Sequence, residues 1–262
     1  MSCGRPAPAN DTERAGCVIP FYRVKTFTPN RDYYDAFAPN YERERHRGYH
    51  ALIDRLEVDL ALRFAHDKEV LEAGCGTGMI LKEVAPHARA AVGIDLSPGM
   101  LHEAAHRGLQ VAQASITQLP FADESFDLVY SYKVLAHIER IDVALSEMAR
   151  VTRRGGHMLA EFYNPWSLRY LVKRLKPPSR IADGAHDEHV YTRYDSLSRI
   201  RTLLPPTIEI VDLRGVRVVT PISHVHKIPL LGRAFELAEW HAADLPFLRR
   251  FGGFLIVVGR KL

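Results

Sequence analysis

Cysteine is scarce in this 262-residue sequence: there are three, and none has the short spacing to another Cys or His that a zinc site or disulfide framework needs. No metal is expected, and the thiols fit a reducing, cytoplasmic setting. No apolar run approaches 18 residues, which excludes a helical membrane span. Residues 1–20 lack the apolar core of a secretory leader, so none is expected. Internal repeats are missing, and so are the interleaved basic and aromatic residues of an appended RNA-binding module. Acidic residues are thin in the C-terminal part: residues 151–262 carry 18 Lys and Arg against 10 Asp and Glu, whereas residues 1–150 carry 17 against 21. A basic surface of that kind can meet RNA, anionic lipid or an acidic small molecule, or can simply be solvated.

What remains is an ordinary globular composition, with 47% hydrophobic and 25% charged residues. Residues 1–25 are rich in Pro, Gly, Ala and polar side chains and are expected to be poorly ordered. Residues 26–262 can form a single domain.

The chain is organised around Val70-Leu71-Glu72-Ala73-Gly74-Cys75-Gly76-Thr77-Gly78. An apolar strand runs into a glycine-rich turn and then a helix, which brings backbone N–H groups toward a ligand that any Cβ would obstruct. Seventeen residues after Gly78, Asp95 closes a second apolar run, Ala90–Ile94. A carboxylate there can accept charge-assisted hydrogen bonds from both ribose hydroxyls. The two pieces together indicate a nucleoside held at the carboxyl ends of parallel strands, with a nicotinamide dinucleotide still open at this point. From Glu69 onward strand and helix patterns alternate, through Pro98–Arg107, Phe126–Ser131, Asp142–Arg150 and Gly156–Tyr163, with last strands at Thr207–Leu213 and Gly253–Arg260. Such alternation predicts an α/β fold: a Rossmann-like, doubly wound, mostly parallel seven-stranded sheet.

These motifs, in this order, resemble the class I S-adenosylmethionine-dependent methyltransferases, in particular the type 11 small-molecule group. Glu72–Gly78 matches that family's first motif and Gly93-Ile94-Asp95-Leu96-Ser97-Pro98-Gly99-Met100 its second. Leu119-Pro120-Phe121 with Ser125-Phe126-Asp127, and Val151–Gly156, match two further motifs over about residues 69–160. The G-x-G-x-G spacing also departs from the G-x-G-x-x-G that a dinucleotide-dependent oxidoreductase favours. The resemblance implies S-adenosylmethionine as cofactor, a cofactor-binding core over residues 69–163 and N-terminal lid helices over residues 31–63. It assigns cofactor contacts to Tyr34 and Tyr41 of the lid, to Glu72, Gly74, Cys75, Gly76 and Gly78 of the first motif, to Asp95, Leu96 and Met100 of the second, and to Ser115, Ile116 and Ser131. Aromatic packing on the sheet is the competing reading for the two tyrosines, and packing is the stronger reading for Cys75.

Two places depart from the family pattern. Ser115 stands where relatives carry an Asp for the adenine amino group, which implies a weaker adenine contact. Lys133-Val134-Leu135-Ala136-His137-Ile138 follows the fourth strand, where relatives often carry polar pairs. Substrate specificity is expected in insertions 164–193, read as irregular, and 214–250, read as a helical cap over the site. Candidate catalytic groups are His137, Tyr132 and Tyr163, with His186, His189, His224 and His226 behind them. Neither the N/D-P-P-Y tetrad of amino-methylating nucleic-acid enzymes nor the strand-end carboxylates of metal-dependent catechol enzymes is present. The expectation is methyl transfer to a small, partly apolar metabolite, at oxygen first, by a monomer or homodimer without stably bound nucleic acid. Methylation of RNA or protein, or cofactor binding without catalysis, are the alternatives.

Overall fold

The computed structural model describes residues 48–175, 180–182, 185–186 and 191–262. The readings of residues 1–25, Tyr34, Tyr41 and His189, and of the lid before residue 48, lie outside the described residues, as does the side chain of His186.

Helix α1 (Gly48–Ala65) buries Leu52, Ile53, Leu56 and Leu60, the recurring stripe that its sequence predicts. It leads into β1 (Glu69–Ala73) and the short α2 (Leu81–Val84). Strand β2 (Ala90–Asp95) precedes α3 (Pro98–His106), whose start is fixed by Pro98 in the first turn and by the Ser97 hydroxyl accepting the Met100 N–H at 3.1 Å. There follow β3 (Val111–Gln113), β4 (Phe126–Ser131), α4 (Ile141–Val151) and β5 (Thr152–Tyr163). The C-terminal part adds α5 (Leu168–Leu175), the small antiparallel pair β6 (Arg180–Ala182) and β7 (Ala185–His186), α6 (Leu197–Leu203), β8 (Ile208–Val216), α7 (Pro229–Asp244) and β9 (Phe254–Lys261).

Seven strands form one sheet in the order β3-β2-β1-β4-β5-β9-β8. All pairs from β3 to β5 are parallel, and β9 runs antiparallel to both β5 and β8. Both faces are covered, so successive residues of one strand enter different cores. Leu71, Val129 and Leu255 pack with α4 and α6, while Val70, Leu128 and Ile256 pack under α1. The chain passes outward from β1 to β3 and returns to β4 on the other side of β1. That reversal opens a crevice at the carboxyl ends of β1 and β4.

Two insertions differ from their reading. Residues 164–193 hold α5 and the β6–β7 pair rather than irregular chain alone; eight residues free of Gly and Pro separate Ser167 from the prolines at 177 and 178. In insertion 214–250, α7 lies against α1 and β8, and it contributes no described residue to the crevice wall.

The loop before β4 is clamped from α4. Glu147 takes a two-pronged contact from Arg150 (2.7 and 2.9 Å) and also accepts the Leu119 N–H at 2.8 Å. Arg150 in turn donates to the carbonyls of Phe121 (2.8 Å) and Leu119 (3.1 Å). The Arg150 guanidinium holds the Glu147 carboxyl below its ordinary range, and Arg153 does the same for Glu69. Depressed carboxylates stabilise the fold above the unfolded value near 4.3 and lose that contribution as pH falls through the folded value. Glu147→Gln should therefore lower stability by roughly 1–2 kcal/mol at pH 7 and by less near pH 3. Thermal melts of both proteins across that range check this.

Candidate functional site

The crevice is built by backbone first. Leaving β1, the N–H groups of Gly74 and Cys75 both donate to the Ile94 carbonyl, at 2.7 and 2.9 Å. The Asp95 carboxylate then receives the Gly76 N–H on one oxygen and the Ser97 N–H on the other, each at 2.9 Å. One side chain thus ties the glycine turn to the start of α3. The backbone at Gly74 has φ +87°, and a Cβ there would overlap the Val134 side chain. Gly76 has φ +53°, and a Cβ there would meet no protein atom within 4 Å. It would stand in the open space that the turn keeps clear for a ligand.

Most residues expected to touch a cofactor share this wall. Glu72, Gly74, Cys75, Gly76, Asp95, Leu96, Met100, Ser115 and Ile116 all line the crevice, together with Thr77 and Ser97. Glu72 is buried and accepts the Tyr130 hydroxyl at 3.1 Å, and burial pushes its carboxyl well above the usual range. Burial likewise pushes the Cys75 thiol up, which suits packing against Gly93 better than nucleophilic chemistry. The Thr77 hydroxyl is buried with no partner among the described residues. Such a group is usually satisfied by something that binds.

Three expected residues sit differently. The Ser131 hydroxyl donates to the Ala73 carbonyl at 2.7 Å, and the residue is fully buried off the crevice wall. Gly78 also stands behind the wall, its N–H closing the turn onto the Cys75 carbonyl at 2.8 Å. Ser115 reaches the crevice, but its hydroxyl is engaged within its own turn, 2.7 Å from the Thr117 hydroxyl and accepting the Thr117 N–H at 3.2 Å.

The far end of the crevice carries His137 and Tyr132. His137 lies in a short 3₁₀ turn after β4, and its Nδ1 is 2.9 Å from the Tyr191 carbonyl. A carbonyl only accepts, so Nδ1 carries a proton there, and whenever the ring is neutral its lone pair is on Nε2. The Tyr163 hydroxyl approaches Nε2 at 3.4 Å. Tyr163 itself stands behind the crevice, packed on Phe254 and Tyr194 with the Arg169 guanidinium 4.4 Å from its ring centre. Burial raises both the Tyr163 and Tyr132 phenols, so neither is a ready phenolate. The Tyr132 hydroxyl is buried with no hydrogen-bond partner among the described residues. His226 lies beside Tyr49 and Thr220, off the crevice wall, and His224 is exposed.

One feature escaped the sequence reading. Lys133, at φ +61°, places its ammonium 2.7 Å from Asp54 and 2.6 Å from Glu57, both on α1. Its backbone N–H donates to Glu161 of β5 at 3.0 Å, and Glu161 also hydrogen-bonds Glu57. Burial, reinforced by Glu57, raises the Glu161 carboxyl well above its usual range. The signal was available: Glu57 falls in the apolar stripe of α1, four residues after Ile53 and three before Leu60. Among the described residues no group of three or more His, Cys, Asp or Glu could hold a metal ion, and no helix is long and apolar enough to cross a membrane.

A doubly wound sheet with a glycine turn and an acidic strand end at its switch point defines a nucleoside-binding crevice. Residues 71–160 match the family model of a methyltransferase domain, which supports the likeness of this stretch to the class I S-adenosylmethionine-dependent methyltransferases of the type 11 group. Curated relatives include demethylmenaquinone methyltransferases. That of Mycobacterium sp. (strain JLS) is 34% identical over 145 residues, 52% of this chain and 63% of that protein. That of Corynebacterium urealyticum is 33% identical over 138 residues, 50% of this chain and 60% of that protein. The chain thus spans less than two thirds of the length of either. Among solved structures, a SAM-dependent methyltransferase of Thermotoga maritima superposes with a TM-score of 0.61 at 18% identity, over 88% of this chain and 99% of that one. The [4+2]-cyclase SpnF superposes at 0.59 with 20% identity, over 88% and 94%. At these identities the structures establish the fold alone.

Removing the Lys133 ammonium from the buried cluster should be costly. Lys133→Met takes away the ammonium beside Glu57 and Glu161 and should lower stability by about 3–5 kcal/mol. Adding Glu57→Gln should recover part of that loss. Urea denaturation of the single and double variants reads both effects.

Proposed function

We propose that this chain transfers a methyl group from S-adenosylmethionine to a small, partly apolar molecule, at a hydroxyl oxygen, with His137 as the general base. The observation that carries the reading is His137 on the crevice wall, its tautomer set by the Tyr191 carbonyl so that Nε2 can receive a proton.

The residues fit the cofactor on the structure's own terms: an open cradle at Gly76, an orphaned Thr77 hydroxyl and an acidic strand end face one cleft. Asp95 would hold the ribose hydroxyls. Leu96 and Met100 would wall the adenine, and the backbone N–H of Ile116 would serve its ring. Ser115 would add little, because its hydroxyl is engaged with Thr117. Glu72, Gly74 and the turn would face the amino-acid end, where the resemblance also places Tyr34 and Tyr41. Bound there, the cofactor supplies an electrophilic methyl group on a cationic sulfur. The protein's part is to orient, to exclude water and to take a proton.

His137 Nε2 would exchange its long contact with the Tyr163 hydroxyl for the acceptor's O–H. Tyr132 lends the same wall an aromatic side chain, which suits an acceptor with an apolar body. The names of the relatives favour a second acceptor, a demethylmenaquinone-like ring. A phenolate spreads its charge onto ring carbon as well as oxygen, so the same base serves either atom.

Incubation with trideuteromethyl-labelled cofactor and a bacterial extract, read by mass spectrometry, tests the substrate class. Label in low-mass apolar compounds is expected; label confined to nucleosides or peptides would replace this reading with RNA or protein methylation. On the acceptor so found, His137→Gln should lower kcat by about 10²–10⁴-fold at pH 7 and by less at higher pH, where the acceptor ionises unaided. Unchanged kcat across pH would remove His137 from the mechanism.

A further inference from the structure

Helix α5 is turned inside out. Arg169 and Tyr170 face the protein, Arg169 stacked on Tyr163 and Phe254 and Tyr170 packed on Tyr194 at 4.7 Å. Its apolar side faces solvent: Leu168 is 38% exposed and Leu171 55% exposed, and Trp166 just before the helix is 72% exposed. A second apolar projection adjoins it. Phe247 is 71% and Phe251 41% exposed, their rings 5.3 Å apart, and Phe251 borders the same groove as Trp166 and Leu171.

The two projections are fastened together. Asn164, itself buried, donates to the carbonyls of Arg250 (2.8 Å) and Gly252 (3.0 Å) and accepts the Trp166 N–H at 3.0 Å. They therefore form one preset surface rather than two loose loops. Among the described residues the charge beside the apolar tips is mainly basic, although Asp212 pairs with Arg249 at 2.6 Å. Neither residues 164–175 nor residues 245–251 contain an Asp or Glu, while Lys173, Arg174 and Arg250 lie exposed beside the apolar tips and Arg199 borders the groove. An apolar wedge of Trp, Leu and Phe within a basic rim is the composition that inserts at a lipid headgroup boundary.

We propose that this face docks the protein on an anionic membrane surface, with Trp166, Leu171, Phe247 and Phe251 inserted and the basic rim against lipid phosphates. Helix α5 lies one side-chain layer from the crevice, through Arg169, Tyr163 and His137, so a docked molecule holds its acceptor end beside lipid. The docking is independent of which acceptor is methylated.

Co-sedimentation of the full chain with extruded vesicles tests it, using phosphatidylcholine alone and phosphatidylcholine with one third phosphatidylglycerol. Binding at least tenfold stronger to the anionic vesicles is expected, with loss of that gain on raising salt. Two variants, Leu171→Asp with Phe247→Asp, and Arg174→Glu with Arg250→Glu, should each weaken it at least tenfold while leaving the melting temperature and S-adenosylhomocysteine affinity in place. No binding, equal binding to both vesicles, or variants that bind as the parent does would overturn the proposal. So would self-association that the Leu171/Phe247 variant abolishes without any vesicle binding, which would make the face a contact between copies of this chain.

Discussion

The Asp95 carboxylate is the joint on which the site depends. It accepts the Gly76 N–H and the Ser97 N–H, so one ionised group at the end of β2 holds both the turn after β1 and the start of α3. Charge-assisted bonds of this kind are worth about 1.5–3 kcal/mol each where the donor is otherwise orphaned. Without them the turn, whose Gly74 and Gly76 sit in the left-handed region, would have little to choose one conformation over another. The crevice is therefore shaped before any ligand arrives.

A second constraint works against stability. Lys133 and the carboxyls of Asp54, Glu57 and Glu161 occupy space between α1 and the sheet where apolar side chains would pack at lower desolvation cost. Lys133 immediately follows the crevice residue Tyr132, and its partners Asp54 and Glu57 stand on α1. The cluster thus registers that helix against the crevice wall.

Much of this was legible in the sequence. The apolar runs of β1, β2 and β4, the glycine spacing and the terminal Asp95 fix the sheet and its switch point through local rules, and the observed strands follow them within a few residues. Ser131 was misplaced because spacing puts a residue at a strand end without saying which way it points; its hydroxyl serves the Ala73 carbonyl of the neighbouring strand. Glu57 was invisible to a reading that assigns charge to solvent, since its partner comes from a residue 76 positions later. Leu245, Phe247 and Leu248 were read as part of a cap over the site, because a hydrophobic stripe ordinarily turns inward, and residues 164–193 were read as irregular chain. In α5 Arg169 and Tyr170 take the inward positions, and the apolar side is left facing out.

The most direct measurement is calorimetric titration of the purified chain with S-adenosylhomocysteine, alongside the isosteric Asp95→Asn variant. The account predicts one binding site per chain and an affinity at least about tenfold lower in the variant, equivalent to 1.4 kcal/mol or more. An affinity unchanged by the loss of that charge, in a variant that melts as the parent does, would contradict it.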